Sequence, residues 1–202
     1  TGIKLQKELL GEVCYPLELQ TKRKKSICAS RSFSSDVINL SELKEAISLH
    51  ANSCAKKLRK EKSYCTSISV FINTNPFKNQ LKQYNPFRVI QLETATNDSM
   101  EIVKIAINIL ESIFRNDCVY KKSGVVVGKI VAEEQLQLSL FDKLNRDKRK
   151  SLNRTIDKVN TIMGRDKIKL AVQGPSRKCK LKQERLSPCY TTLFSDILEV
   201  NI

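Results

Sequence analysis

The chain has 202 residues and a formal net charge of +15, because 36 lysine and arginine residues stand against 21 aspartate and glutamate residues. Hydrophobic residues make up 41% of the sequence and glycine and proline are few, which excludes a largely disordered chain and predicts a soluble folded protein. No apolar run approaches the roughly 18 residues that span a bilayer, so no membrane association is expected. The charge favours nucleic acid as a partner, with a merely soluble basic surface as the alternative.

The chain contains 7 cysteines and a single histidine, His50. The cysteines are odd in number, widely scattered and without a C-x-x-C pair, which predicts reduced cytoplasmic thiols and no metal site. His50 has only Cys54 near it in the same predicted helix, so we expect a helix residue at the edge of the core. The chain begins at Thr1 without a methionine, and we expect it to be a fragment of a longer protein.

The N-terminal part predicts one short helix and one strand. Apolar residues at helical spacing cover residues 4–10, and Gly11 follows as a stop. We interpret residues 1–20 as the end of a preceding domain and a linker. A charged connector over residues 21–25 then leads into a strand over residues 26–33.

A long helix and a second strand are predicted next. Asn39 and Glu42 form a capping-box pattern, which begins a helix of about twenty residues with an apolar stripe at three- and four-residue intervals. Residues 65–73 then alternate in polarity, which predicts a half-buried strand. Its two faces carry Ile68, Val70 and Ile72 on one side and Ser67, Ser69 and Asn73 on the other.

Two turns, Asn75-Pro76 and Asn85-Pro86, separate this strand from a weaker strand over residues 87–92 and favour a hairpin-like return. Asp98 and Glu101 form a second capping-box pattern that begins a strongly amphipathic helix. Residues 120–131 contain a β-branched run between Gly124 and Gly128 and predict a buried strand.

The order strand, helix, strand, strand, helix, strand predicts an α+β fold for residues 21–132. Its four-stranded sheet carries two helices on one face and leaves the other face open. Counting every second residue places small polar side chains on the open face: Ser26, Cys28, Ser30, Ser32, Ser67, Ser69 and Asn73.

Small side chains on this face would let backbone amides approach phosphate groups, and basic residues at its margins would supply charge. The alternative is an ordinary solvated face. We therefore predict that DNA binds at ten positions: Lys24, Lys25, Ser30, Arg31, Ser32, Ser67, Ser69, Arg88, Lys121 and Lys122.

The composition changes after Ala132. Residues 133–150 are polar, charged and without periodicity apart from one leucine-rich pentapeptide, and they predict a flexible tether. Residues 152–163 predict a short helix stopped by Gly164, and residues 168–172 alternate as a strand. Residues 151–202 thus form a small α/β segment with too little apolar material to be stable alone, so we expect it to dock on a partner.

The sequence contains no pattern for catalysis. DNA synthesis needs acidic residues clustered around two divalent metal ions, whereas Asp98 and Glu101 are better explained as helix caps. Neither a G-x-x-x-x-G-K-[ST] loop nor a G-x-G-x-x-G turn occurs. We expect a binding protein without catalytic residues, metal ligands or cofactors of its own.

The pentapeptide Gln137-Leu138-Ser139-Leu140-Phe141 places three large apolar side chains inside a polar stretch. Such a peptide fits a groove on a partner, with Leu140 and Phe141 as apolar anchors and Gln137 as a directional hydrogen-bonding group. The pattern alone leaves open one helical turn packed on its own domain.

The pentapeptide resembles the bacterial sliding-clamp-binding motif, and the chain resembles the UmuC family of Y-family error-prone DNA polymerases. The matching stretches follow the family's order over nearly the whole chain: Ile27-Cys28-Ala29-Ser30-Arg31-Ser32-Phe33, Thr74-Asn75-Pro76-Phe77, Pro86 through the interval 94–98, Tyr120-Lys121-Lys122-Ser123-Gly124-Val125, Glu184-Arg185-Leu186-Ser187-Pro188 and Tyr190-Thr191-Thr192.

The resemblance implies that residues 21–132 are the little finger, the extra DNA-binding domain of these polymerases, and that residues 137–141 bind the sliding clamp. It implies that the catalytic domains, with their carboxylates and Mg²⁺, lie outside this chain, and that the protein serves SOS lesion bypass at the bacterial nucleoid in the cytoplasm. Residues 151–202 resemble the UmuC-specific segment, which the family associates with the UmuD' dimer and RecA, although Cys189 stands where arginine is expected.

A free-standing RNA-binding or regulatory interaction module on a similar sheet is the alternative. RNA readers of this kind stack bases on exposed aromatic side chains of the sheet. The first strand offers serines at those positions, with Phe71 as the main exception. The sequence therefore favours DNA.

Overall fold

A computed structural model of the chain describes residues 2–14, 23–78, 80–136, 142, 144–164, 166–174 and 186–197. The pentapeptide 137–141 lies outside the described residues, as do residues 15–22 and 175–185. The regular elements are α1 (Gly2–Leu9), β1 (Ser26–Val37), α2 (Leu40–Lys60), β2 (Ser63–Thr74), β3 (Phe87–Thr96), α3 (Ser99–Ile113), β4 (Tyr120–Ala132) and α4 (Arg146–Ile162).

The four strands form one antiparallel sheet in the order β1-β4-β2-β3. The last strand in sequence, β4, therefore lies in the middle of the sheet and pairs with both β1 and β2. Every predicted strand of residues 21–132 is present, and each is longer than its sequence pattern indicated. The predicted α+β fold with its β-α-β-β-α-β order is confirmed.

The core lies between the sheet and the helices α2 and α3. The apolar stripe of α2 faces mainly β4 and β1, and that of α3 faces β2 and β3. Each fully buried Leu, Ile or Val contributes about 1.5–3 kcal/mol to folding. The largest fully buried members are Tyr120, Leu43, Ile47, Leu58, Ile68, Ile72, Ile102, Ile109, Leu110, Val37 and Val70.

The two predicted capping boxes form only in part. Asp98 caps α3, because its carboxylate accepts a hydrogen bond from the Met100 amide at 3.1 Å. Glu101 does not return to the Asp98 amide; it accepts from Thr96 Oγ1 at 2.5 Å and from Arg146. Before α2, Asn39 forms no cap with its side chain and instead donates to Glu42 at 3.3 Å.

Helix α4 begins at Arg146, inside the stretch predicted to be a flexible tether. The sequence prediction was wrong here because the charged side chains of this stretch have partners elsewhere in the fold. Arg146 Nη1 donates to Glu101 at 2.7 Å, and its Nε donates to Asp142 at 2.6 Å. Asn145 also caps the helix by accepting from the Lys148 amide at 3.0 Å.

Further ion pairs hold α4 against the start of α3 and the end of α2. Arg149 Nη1 and Asn153 Nδ2 both donate to the Asp98 carboxylate, at 2.6 and 2.8 Å. Asp157 accepts two hydrogen bonds from the Arg59 guanidinium, at 2.7 and 3.0 Å. Only Asn153 is fully buried on α4, so the helix docks mainly through charged groups.

The strand predicted over residues 168–172 is absent. Its place is taken by a 3-10 turn, Ala171–Gln173, which packs against α2. Leu170 and Val172 both contact the core cluster, and the buried Gln173 side chain donates to the Ser48 carbonyl at 3.4 Å. Alternation of apolar residues here reflects one packed turn rather than a strand.

Candidate nucleic-acid interface

The sheet face opposite α2 and α3 is the open face. Facing residues of paired strands share one side of a sheet, so the strand registers define rows that cross it. The rows are Ser26–Gly128–Ser67–Gln91, Cys28–Val126–Ser69–Val89, Ser30–Gly124–Phe71–Phe87 and Ser32–Lys122–Asn73. None of these positions carries a carboxylate.

The middle of the open face is shallow because β4 contributes glycine in two of the four rows. A Cβ at Gly124 would lie 2.6 Å from Phe71 Cε1 and 2.6 Å from Ser30 Cβ, so the Phe71 ring lies directly over the β4 backbone. A Cβ at Gly128 would lie 2.9 Å from Ser67 Oγ. Glycine at position 124 is therefore required for the Phe71 ring to keep its place, whereas a side chain at position 128 would have to displace only the Ser67 hydroxyl.

The predicted serines divide into two groups. Ser30 and Ser32 on the edge strand β1 are exposed, as the hypothesis of phosphate contact needs. Ser67 and Ser69 on the central strand β2 are only 7% exposed, because β4 and β3 flank them on both sides. The sequence pattern could not distinguish an edge strand from a central one.

The predicted basic residues do not all lie on the open face. Lys122 does, and its ammonium lies 5.9 Å from the centroid of the Phe71 ring. Arg88 faces Val70, and Arg31 faces Ser123 and lines a cavity with His50; both therefore lie on the side of the helices.

The remaining predicted lysines lie at the two ends of β1. Lys24 forms an ion pair with Glu61, the C-cap residue that follows α2. Lys25 is exposed beside it. Lys121 donates to the Ser34 carbonyl at 3.3 Å. The structure thus brings Ser30, Ser32 and Lys122 together on the open face and distributes the other cations around it.

Two apolar residues of the open face were missed in the sequence. Phe87 is 59% exposed and Val89 is 44% exposed, both on the edge strand β3. Phe87 and Val89 alternate with the more buried Ile90 and Leu92. This alternation could have predicted their exposure, since every second residue of a half-covered strand faces outward. A flat apolar strip thus lies beside Phe71.

His50 is largely buried beside Arg31 in a cavity of about 410 Å³ between β1 and α2. Its Nε2 has no hydrogen-bond partner among the described residues. Burial, and to a lesser extent the positive charge of Arg31, lower the pKa of His50 to about 4. The structure places it at the edge of the core, as the sequence predicted.

We expect folding stability to fall as the pH drops from 6.5 toward 4, since the unfolded chain protonates His50 over this range and the folded chain does not. Above pH 6.5 the imidazole is neutral in both states and has no effect. The free energy of unfolding should fall by about 2 kcal/mol between pH 6.5 and about pH 5, because each pH unit contributes roughly 1.4 kcal/mol. Urea unfolding across this range measures it. A His50→Gln variant should lose this dependence, and an equal dependence in both proteins would contradict the assignment.

The sequence profile of the impB/mucB/samB family C-terminal domain matches residues 24–140, which includes the whole sheet and both packed helices. The chain belongs to the impB/mucB/samB family. A second profile, a domain of unknown function called DUF4113, matches residues 150–200. The resemblance to the UmuC family is thereby confirmed.

Full-length relatives in the impB/mucB/samB family are more than twice as long as this chain. The protein UmuC of Salmonella typhimurium is 37% identical over 195 residues, which are 96% of this chain and 46% of that protein. The protein MucB of Escherichia coli is 36% identical over 192 residues, covering 95% of this chain and 45% of MucB. The chain therefore spans less than half the length of these curated relatives.

One of the solved structures that this chain resembles is the complex of the beta-clamp processivity factor and the little finger domain of PolIV. The alignment has 13% sequence identity and a TM-score of 0.41, and it covers 58% of this chain and 99% of that chain.

Within the described ranges, no cluster of three or more His, Cys, Asp or Glu residues could hold a metal ion. No helix among those residues is long and apolar enough to cross a membrane.

Proposed function

We propose that this chain holds template-primer DNA on its open face, without sequence preference, as the little finger of a UmuC-like translesion polymerase. The observation that carries the proposal is the composition of that face, which combines small side chains, Lys122 and no carboxylate at any of the paired positions. Phosphate contacts fix a protein on DNA but carry no sequence information. Binding through phosphate contacts suits a polymerase that must accept a damaged template base.

Electrostatics support this choice of surface. A net charge of +15 attracts any polyanion, but contact requires a surface that a phosphate backbone can approach closely. Gly124 and Gly128 keep the centre of the face low, and the hydroxyls of Ser30 and Ser32 are exposed at its edge.

The test is the affinity of the chain for a fluorescently labelled primer-template, measured by anisotropy at several salt concentrations. Lys122→Glu should weaken binding and flatten the slope of log affinity against log salt by about 0.9, the value for one phosphate contact. Lys104→Glu is the matched control, because Lys104 is exposed on α3, on the helix side, and the charge change is identical. Equal losses of affinity for the primer-template in the two variants would refute a DNA-binding site on the open face.

Clamp docking by residues 137–141 forms the second part of the proposal. It rests on the resemblance of the pentapeptide to the clamp-binding motif and on its position at the end of the segment matched by the family profile. Residues 151–202 would meet the accessory UmuD' dimer and RecA, and the whole assembly would work at the nucleoid in the bacterial cytoplasm.

Binding of single-stranded RNA is a second candidate function, which the exposed ring of Phe87 beside Phe71 favours. Bases of a single strand stack on aromatic side chains at roughly 1–3 kcal/mol each. Anisotropy with a single-stranded RNA and with the primer-template distinguishes the two candidates. The chain is an RNA-binding protein if it binds the RNA more tightly than the primer-template and if Phe87→Ala weakens binding of the RNA but not of the primer-template.

A further inference from the structure

A second basic surface shares no residue with the paired positions of the open face. The end of α2, the start of β2 and the inner face of α4 enclose a cleft of about 630 Å³. Its lining residues are Lys56, Arg59, Lys60, Lys62, Tyr64, Asn97, Glu133, Lys150, Arg154, Asp157 and Thr161.

The cleft has more positive charges than its own carboxylates can neutralise. Both carboxylates have ion-pair partners in the cleft: Glu133 pairs with Lys150, and Asp157 pairs with Arg59. In the part of the chain that the structure describes, the side chains of Lys56, Lys60, Lys62 and Arg154 form no ion pair. These four cations therefore give the cleft a local excess of positive charge.

The helix dipole accounts for only part of this excess. Cations are favoured in the last turn of a helix, and Lys60 is the last residue of α2. Arg154, however, lies near the middle of α4, and Lys62 lies beyond α2. Two separate chain segments thus direct cations to one cavity. Glu133 already pairs with Lys150, which lowers the pKa of this carboxyl most, and the charges of Arg154 and Lys62 contribute less to that lowering.

We propose that this cleft is a second nucleic-acid site, which takes the phosphate backbone of single-stranded DNA. Its volume is that of a small-molecule site, roughly 300–1,000 Å³, which suits single nucleotide units and not a duplex. One wall belongs to the domain that carries the open face and the other to α4. The site is complete only while α4 is docked.

The lining also favours a nucleic acid over a protein segment with apolar anchors. Protein segments that dock in a cleft usually insert apolar anchors into apolar pockets. Among the residues that the structure describes, the cleft is lined by charged and polar side chains and by Tyr64, without an aliphatic residue. A phosphate backbone needs only cations and hydrogen-bond donors, which Lys62, Arg154 and Asn97 supply.

The test uses the complete chain, an oligo-dT single strand and a blunt duplex, with anisotropy measured against salt. Lys60→Gln combined with Arg154→Gln removes one cation from each wall. We expect the slope of log affinity against log salt for oligo-dT to flatten by about 1.4, because each phosphate contact to a single strand contributes roughly 0.7. Duplex affinity should stay unchanged.

The control is Lys104→Gln combined with Lys148→Gln, which removes the same charge at exposed positions outside the cleft. If both double variants flatten the oligo-dT slope equally, the effect is the general field of a basic protein and the site is refuted. If oligo-dT binding is unaffected while polyglutamate binding depends on Lys60 and Arg154, the cleft binds an acidic protein and the proposal is also refuted. Thermal unfolding of both variants verifies that the comparison is between folded proteins.

The outcome is independent of the open-face site. Lys122→Glu should weaken duplex binding and leave the oligo-dT slope at its original value, whereas the cleft variant does the reverse. If only one of the two variants has its expected effect, the proposal for the other surface is refuted and the first one stands.

Discussion

Replacing both Leu140 and Phe141 with alanine should reduce the affinity of the chain for the bacterial sliding clamp by at least about 100-fold. Buried apolar anchors of this kind contribute 2 kcal/mol or more each when they fill a partner's pocket, and roughly 1.4 kcal/mol is a factor of ten. Surface plasmon resonance with immobilised clamp measures the loss.

The chain offers a matched control in Leu186→Ala combined with Phe194→Ala. These two residues are 74% and 92% exposed, and their replacement removes the same apolar groups from another part of the chain. The control variant should bind the clamp like the unchanged protein. Equal binding by both double variants would show that residues 137–141 are not the clamp-binding segment.

The residues on either side of the pentapeptide are anchored to the same body. The Glu133 amide donates to the Lys62 carbonyl at 3.1 Å, and Asp142 accepts from Arg146 at 2.6 Å. Arg146 in turn reaches Glu101 on α3. A clamp bound to residues 137–141 would therefore stay close to α3 and α4, rather than at the end of a long free linker.

Asp98→Ala should lower the free energy of unfolding by about 3 kcal/mol. The carboxylate is only 5% exposed and accepts hydrogen bonds from Met100, Arg149 and Asn153. Loss of the helix cap costs about 1 kcal/mol. The buried Asn153 amide and the Arg149 guanidinium lose their acceptor, which costs about 1–3 kcal/mol more.

Urea denaturation measures this effect, and Glu111→Ala provides the comparison. Glu111 forms an exposed ion pair with Lys44, so its loss should cost below about 1 kcal/mol. A second variant, Asp98→Asn, keeps a good cap but removes the charge. Hydrogen exchange in that variant should increase in α4 and not in α3; unchanged exchange in α4 would mean that Asp98 does not hold this helix.

Periodicity in the sequence was sufficient for the elements that build the core. Ile68, Val70 and Ile72 alternate because β2 packs one face on the helices, and the apolar stripe of α3 recurs at helical spacing because one side of it contacts the sheet. These patterns are local consequences of burial. They predict which residues face inward without any knowledge of the neighbouring strands.

The features that were missed depend on distant partners. Ser67 and Ser69 look like surface residues in the sequence, yet they are buried because β2 is a central strand. The start of α4 depends on contacts from Arg146 to Glu101, 45 residues earlier. Local spacing contains no information about such pairings. The position of Arg31 is different, because the local alternation of β1 already places Ser30 on the open face and Arg31 on the helix side.

The central position of β4 also determines when this domain can form during synthesis. β4 is the shared partner of β1 and β2, and its pairing with β1 joins residues about a hundred positions apart, such as Ser26 and Gly128. Before Ala132 leaves the ribosome, β1 has no strand to pair with and the core beneath α2 lacks Val125 and Val127. Because non-local pairing slows folding, we infer that the sheet closes late and that any truncation before β4 leaves β1 as an unpaired, aggregation-prone strand.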